Sequence, residues 1–196
     1  MFNDKFGLTE AVLEGRKTMT RRAVPKKLIR AIEGGAPGFA VMESKYKVGE
    51  VVAVAQPYRD IFTRIPSHVY VKGVFTEPKN TSGWANKMFV EAQSMLYFIR
   101  ITNVRVERMQ DISEEDCVRE GVQAVRIPKG CVYVAGGATI HDDVRKRFVS
   151  GEIEMSEKCS FDTPRDAFAA LIDKVSGKGT WESNPWVFVY EFELVK

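Results

Sequence analysis

Seven cations stand between Glu14 and Glu33 with no acidic residue among them: Arg16, Lys17, Arg21, Arg22, Lys26, Lys27 and Arg30. A local charge of +7 in a chain whose total is +3 leaves −4 for the remainder. Such a field attracts phosphates and releases counterions on binding, the electrostatic part of nucleic-acid affinity. Arg21 and Arg22 are the first candidates for phosphate contact, with Arg16, Lys26 and Lys27 beside them. The same charges can instead form a solvated basic face. Two aromatics are candidates for stacking on a base: Trp181, in a glycine-rich loop with no alternation to bury it, and Tyr58. Packing against the body of the protein is the other use open to Trp181.

Other chemistries find less support. Cys117, Cys131 and Cys159 are odd in number, lack C-x-x-C spacing, and are joined by two histidines, His68 and His141. Neither a disulfide framework nor a zinc site is indicated, and no cofactor is expected. His141-Asp142-Asp143 is the one stretch that can hold a cation weakly. The start, Met1 to Lys5, lacks the apolar core of a signal peptide, and no apolar run approaches the roughly 18 residues of a membrane span. A cytoplasmic protein without membrane contact is expected. With 196 residues and 44% hydrophobic side chains, the chain is long enough to bury a core without staples, and length favours one domain.

The elements that must position these residues are marked by local signals. Thr9 is placed to cap a short helix over Glu10 to Glu14, with Gly15 closing it in a left-handed conformation, so the basic segment leaves a helix C-terminus. Pro25 suits the first position of a helix running through Ile32. Residues 33–38 read as a loop; Val51 to Ala55 and Val69 to Phe75 read as strands. From Tyr97 to Glu107 a long strand carries Ile99 and Ile101, then Val104 and Val106, a slip at Thr102-Asn103 of the kind a β-bulge produces. Ser113-Glu114-Glu115-Asp116 has the spacing of a capping box, in a short helix that Glu120 closes and Gly121 ends. Strand-like and charged pieces alternate from 122 to 160. Thr163-Pro164-Arg165-Asp166 opens the most regular helix, carrying Ala167, Phe168, Leu171, Ile172 and Val175 at helical spacing. Trp186 to Leu194 alternates as a strand with Trp186, Phe188, Tyr190, Phe192 and Leu194 on one face, which suits a core better than a ligand cage. The expected fold class is α+β, a mixed or antiparallel barrel with short peripheral helices.

Four blocks carry a resemblance. Gly7 to Arg22 with its Gly15-Arg16-Lys17-Thr18-Met19-Thr20 core, the turn and strand Gly49-Glu50-Val51-Val52, Ile101 to Val104 running into Ile112 to Gly121, and Asn184 to Phe192 together resemble ASCH domains. These are relatives of the PUA domain, and the likeness is greatest to the longer forms of bacteriophages and prophages. The blocks span 7 to 22, 47 to 58, 97 to 122 and 165 to 194, a little under half of the 196 residues. The resemblance implies a PUA-like pseudo-barrel over residues 1–196, with a cleft between barrel and helices and with insertions near 23–46, 59–96 and 123–160. It also implies a role in binding RNA, a nucleotide or a modified nucleoside. In a compact bacterial branch of the superfamily the cleft hydrolyses the amide of N4-acetylcytidine with a Lys, a Thr three residues later and a distant Glu. Matched by motif, those roles fall to Lys17, Thr20 and Glu120.

The chemistry of that assignment stands on its own terms. Amide hydrolysis through a covalent intermediate needs a nucleophile, a base for its proton and an acid for the leaving nitrogen. Thr20 can attack, Glu120 can protonate the amine, and Lys17 becomes a better base if Arg16, Arg21 and Arg22 disfavour its charge. A carboxylate at a helix C-terminus opposes the dipole by about 0.3 to 1 kcal/mol, which suggests another use for Glu120. Residues i and i+3 meet only where the chain bends, so a regular strand from Lys17 to Thr20 would exclude the mechanism.

One stretch departs from the family. Where many longer ASCH proteins carry Trp-Val-Arg-Glu, this chain has Ala53-Val54-Ala55-Gln56. Loss of both charges implies binding without catalysis, or catalysis on a different substrate. Three readings follow: a module binding RNA, nucleotide or nucleoside in a basic cleft, a hydrolase of N4-acylated cytidine, and a phage morphogenesis or interaction protein whose fold is only a contact surface.

Overall fold

A computed structural model of the protein describes residues 2, 4–64, 81–127, 130–134, 150 and 160–195. Its centre is an antiparallel sheet of β1 (Met19–Ala23), β2 (Val51–Ala53), β3 (Phe98–Arg108) and β7 (Trp186–Val195), in the order β1-β7-β3-β2. The sheet curls into a half-barrel in an α+β fold with few helices. No described helix is long and apolar enough to cross a membrane.

Strand β7 shows why both faces are covered. Its alternation sends Phe188, Tyr190 and Phe192 to one side, where they pack with Ile99, Ile101 and Val104 and with residues of helices α2 (Lys26–Glu33) and α3 (Pro37–Met42). It sends Val187 and Val189 to the other side, against Ile112, Cys117, Ala167 and Phe168. Burying each such side chain is worth about 1.5–3 kcal/mol relative to leaving it exposed.

The slip in β3 is a register shift between Ile101 and Asn103 in the pairing with β7. Without the extra residue, Asn103, Arg105 and Glu107 would point into the aromatic core and Val104 and Val106 away from it. The bulge thus keeps one face of β3 apolar along its length and turns Arg105 and Glu107 toward the opposite face, where the candidate site lies.

Helix α1 (Leu8–Leu13) packs Ala11 and Val12 inward. It begins two residues earlier than its cap signal suggests: Gly7 occupies the cap at φ 64, and Thr9 lies inside the first turn, its hydroxyl donating to Asp4. Pro25 likewise caps α2 instead of opening it. The expected loop at 33–38 gives way to α3, which starts on Pro37, and an unforeseen helix α4 covers Tyr58–Arg64. Helix α5 (Glu114–Arg119) follows its signal, with Ser113 Oγ accepting from the Asp116 N–H at 3.1 Å. So does α6 (Pro164–Ser176), with Thr163 Oγ1 accepting from the Asp166 N–H. A small second antiparallel sheet consists of β4 (Gln123–Ile127), β5 (Gly130–Val134) and β6 (Ser160–Phe161). The expected strand at 69–75, the charged stretch at 144–148, His68 and the His141-Asp142-Asp143 stretch lie outside the described residues.

Candidate active site

Backbone ties bring the basic segment to the end of α5. Beyond α1 the chain turns at Gly15, φ 73, where the Gly15 N–H donates to the Val12 carbonyl and the Lys17 N–H to the Ala11 carbonyl. The Thr18 N–H then donates to the Arg119 carbonyl at 3.0 Å. Helix α5 ends in a Schellman motif, in which the Gly121 N–H reaches the Val118 carbonyl and the Val122 N–H the Cys117 carbonyl. Gly121 holds φ 108, and a Cβ placed there would lie 3.7 Å from Lys17 Cδ. Two helix termini therefore meet, one presenting Lys17 and the other Glu120.

The two side chains form a buried ion pair. Lys17 is 2% exposed and Glu120 4%. The Lys17 ammonium donates to Glu120 Oε2 at 2.5 Å and to the Glu120 carbonyl at 2.7 Å. Burial pushes the Lys17 pKa below the ordinary lysine value; Glu120 opposes this, and Arg22 and Arg21 add to it. Desolvation, more than the neighbouring cations that the sequence suggested, is what favours the neutral amine here.

Lys17, Thr20 and Glu120 all line one cleft of about 710 Å³ between the edge of the sheet, α6 and the segment 85–88. Lys17 precedes β1 and Thr20 is its second residue, so the stretch joining them is not a continuous strand. Lys17 shares Glu120 with Arg21 on one side of β1, Thr20 stands opposite Tyr190 on the other, and both border the cleft. The wall at 85–88 comes from the stretch expected to be an insertion, and Lys87 fixes it by donating to the Phe2 carbonyl at 2.6 Å and to Asp4 at 2.7 Å.

Arg21 has a different place from the one its sequence neighbourhood implied. It is 5% exposed and turned inward, donating to Glu107 at 2.5 Å, to Asp116 at 3.1 Å and to Glu120 Oε1 at 3.1 Å. Burial opposes its charge, and Glu120, Glu107 and Asp116 more than offset that and raise its pKa. The network continues through Arg105, bonded to Glu107, Asp116 and Glu191, and through Arg119, bonded to Asp116 and Glu191. Arg16 pairs with Glu14 at 2.5 Å. Three of the seven cations, Arg16, Lys17 and Arg21, thus have carboxylate partners within the molecule; Arg22, Lys26, Lys27 and Arg30 are exposed. Of these, Arg22 lines the cleft, as does Lys5.

The two aromatics proposed for stacking are elsewhere. Trp181 packs edge-on against Phe168 at 6.2 Å and under the Arg165 guanidinium at 5.3 Å. Asp173 holds its loop by accepting from the Trp181 and Gly179 N–H groups, which lowers the Asp173 pKa. Tyr58 packs against Phe62 and across Gly83. Neither lines the cleft, whose aromatic lining residues are Phe2 and Phe168. Phe168 read as a core residue because helical spacing carries no sign of a cleft at its edge; Phe2 and Lys87 gave no local signal.

Ala55 lines a second, smaller cavity, and Gln56 is buried with no partner for its Oε1 among the described residues. Among the described residues no group of three or more His, Cys, Asp and Glu side chains is arranged to hold a metal. Compared with known proteins, the chain matches no family model, no curated protein and no solved structure.

Proposed function

We propose that the protein binds RNA, a nucleotide or a modified nucleoside in the cleft, and that its sharpest activity is hydrolysis of an N4-acyl amide such as that of N4-acetylcytidine. The observation that carries this reading is the convergence of Lys17, Thr20 and Glu120 on one cleft, with the lysine buried against the glutamate at 2.5 Å. The residue pattern shared with ASCH domains, and the compatibility of a curled antiparallel half-barrel with a PUA-like barrel, support it further.

The pair holds one transferable proton. In its resting form the lysine is an ammonium and Glu120 a carboxylate. Moving the proton along their hydrogen bond gives an amine and a carboxylic acid, a form that desolvation of Lys17 favours. Thr20 Oγ then attacks the acyl carbon and its proton passes to the Lys17 amine, while Glu120 protonates the nitrogen as the C–N bond breaks. An ester on Thr20 remains and the pair is back in its resting form. After a second proton shift within the pair, water attacks the ester, gives its proton to Lys17, and Glu120 protonates Thr20 Oγ as the acid leaves. One water is consumed and one amine released.

Loss of N4-acetylcytidine absorbance tests the reading. Turnover by the wild type that disappears in Lys17→Ala, Thr20→Ala and Glu120→Ala supports hydrolysis; no turnover at enzyme concentrations equal to substrate discards it. Binding without turnover needs affinity for RNA oligonucleotides that falls steeply with salt. Affinity indifferent to salt and to charge reversal at Arg22 would remove the basic cleft as the contact.

A further inference from the structure

The cleft does not end at Thr20. Phe2, Thr20 and Arg22 also line a second cavity of about 250 Å³ on the aromatic side of the sheet. Arg22, Lys45, Tyr46 and Tyr190 of that cavity line a third, of about 450 Å³, which reaches Lys27 on α2. Arg22 is common to all three. The strand register explains the path: Thr20 stands opposite Tyr190 and Arg22 opposite Phe188, so both are on the aromatic side of β1. Among the described residues β1 pairs only with β7, which leaves its outer edge open for a ligand to cross.

The lining alternates in kind. Cations recur along it at Arg22, Lys45 and Lys27, all exposed. Aromatic faces recur beside them, Phe2 at the first opening and Tyr46 with Tyr190, whose rings meet edge-on at 5.5 Å, at the second. The Lys45 ammonium lies 5.2 Å from the centre of the Tyr46 ring. One carboxylate, Glu43, stands in the third cavity and repels phosphate locally. The first cavity alone has the volume of an ordinary small-ligand site, roughly 300–1,000 Å³, so a single nucleoside leaves the second and third unused. Repeated cations for a backbone beside aromatic faces for bases are the means by which single strands are held without sequence readout.

We propose that the ligand is a single-stranded oligonucleotide that seats one nucleotide in the Lys17 cleft and runs over the edge of β1 past Arg22 to Lys45, Tyr46 and Lys27. This rests on the reading of the cleft as a nucleotide site and narrows it from free nucleoside to strand.

The test measures binding by competition against a fluorescein-labelled cytidine hexanucleotide, using unlabelled cytidine oligomers of one, two, four and six nucleotides as RNA and as DNA. Affinity is expected to rise at least about tenfold from the mononucleotide to the tetranucleotide and then to level off. In Lys27→Glu/Lys45→Glu, whose fold is checked by circular dichroism, that length gain shrinks toward unity. Length dependence with either sugar supports the proposal; an RNA-only gain adds a contact to the 2′-hydroxyl. Affinities within twofold across the series, or a length gain untouched in the double variant, overturn it. Deacylation of free N4-acetylcytidine alongside a flat length series would overturn the strand proposal alone. Absence of both nucleoside turnover and binding to any oligomer would overturn the reading beneath it.

Discussion

Substituting Glu120 by Gln keeps the shape of the side chain and removes its charge, leaving the Lys17 ammonium buried against a neutral amide. Glu120 receives two charge-assisted bonds, from Lys17 at 2.5 Å and from Arg21 at 3.1 Å. Arg21 keeps Glu107 and Asp116, whereas Lys17 loses its carboxylate partner. Breaking a buried pair by removing one partner costs about 3–5 kcal/mol. For a chain of this length that corresponds to a fall in Tm of roughly 6–20 °C. The loss depends on pH in a defined direction. The folded-state pKa of Lys17 already lies below its ordinary 10.5, and without Glu120 the opposing influence is gone and burial lowers it further. Between that depressed value and 10.5 the unfolded chain binds more protons than the folded one, so stability rises with pH. Urea unfolding followed by tryptophan fluorescence at pH 7 and pH 9.5 therefore shows Glu120→Gln far less stable than wild type at pH 7 and recovering part of the gap at pH 9.5. A loss below about 1 kcal/mol at pH 7, or one that does not change with pH, refutes the buried-pair argument.

Other outcomes follow from the same geometry. Arg21→Met removes one cation from three carboxylates that each keep another partner, Arg105 for Glu107 and Asp116 and Lys17 for Glu120, and destabilises by about 1.5–3 kcal/mol in the same assay; Arg21→Lys does not restore it, because a point charge cannot reach all three together. Gly121→Ala forces a side chain into φ 108, where space is adequate but backbone strain costs about 1–3 kcal/mol, read as a lowered unfolding midpoint. Burial pushes the Cys117 thiol up to about 12, so peptide mapping after iodoacetamide at pH 8 finds Cys117 unmodified in the native protein and modified in urea.

What the sequence could disclose was local. Ser113, Gly121, Thr163 and Pro164 act within a few residues of themselves, and each has the role its type suggests. The alternation of β7 and the slip at Thr102 are legible for the same reason, since a strand's period is written along the chain. Lys17, Thr20 and Glu120 came from a motif, and the approach of Lys17 to Glu120, 103 residues away, is accompanied by a Thr18 to Arg119 backbone bond that no motif states. The network around Arg21 was not legible at all. Its partners Glu107 and Asp116 lie 86 and 95 residues away, and their approach depends on the pairing of β1 and β3 with β7 and on the packing of α5. A charge run read as a surface was, in part, the interior half of a set of ion pairs.

The central claim is that Thr20 carries the acyl group while Lys17 and Glu120 move its protons, and rates for Thr20→Ala and Thr20→Ser on N4-acetylcytidine test it most directly. Serine retains the attacking oxygen, so Thr20→Ser is expected within about tenfold of wild type, and Thr20→Ala is expected to lose more than about a hundredfold in kcat with its Tm unchanged within a few degrees. Wild-type rates in Thr20→Ala, or no deacylation by the wild type with enzyme equal to substrate, would contradict the account.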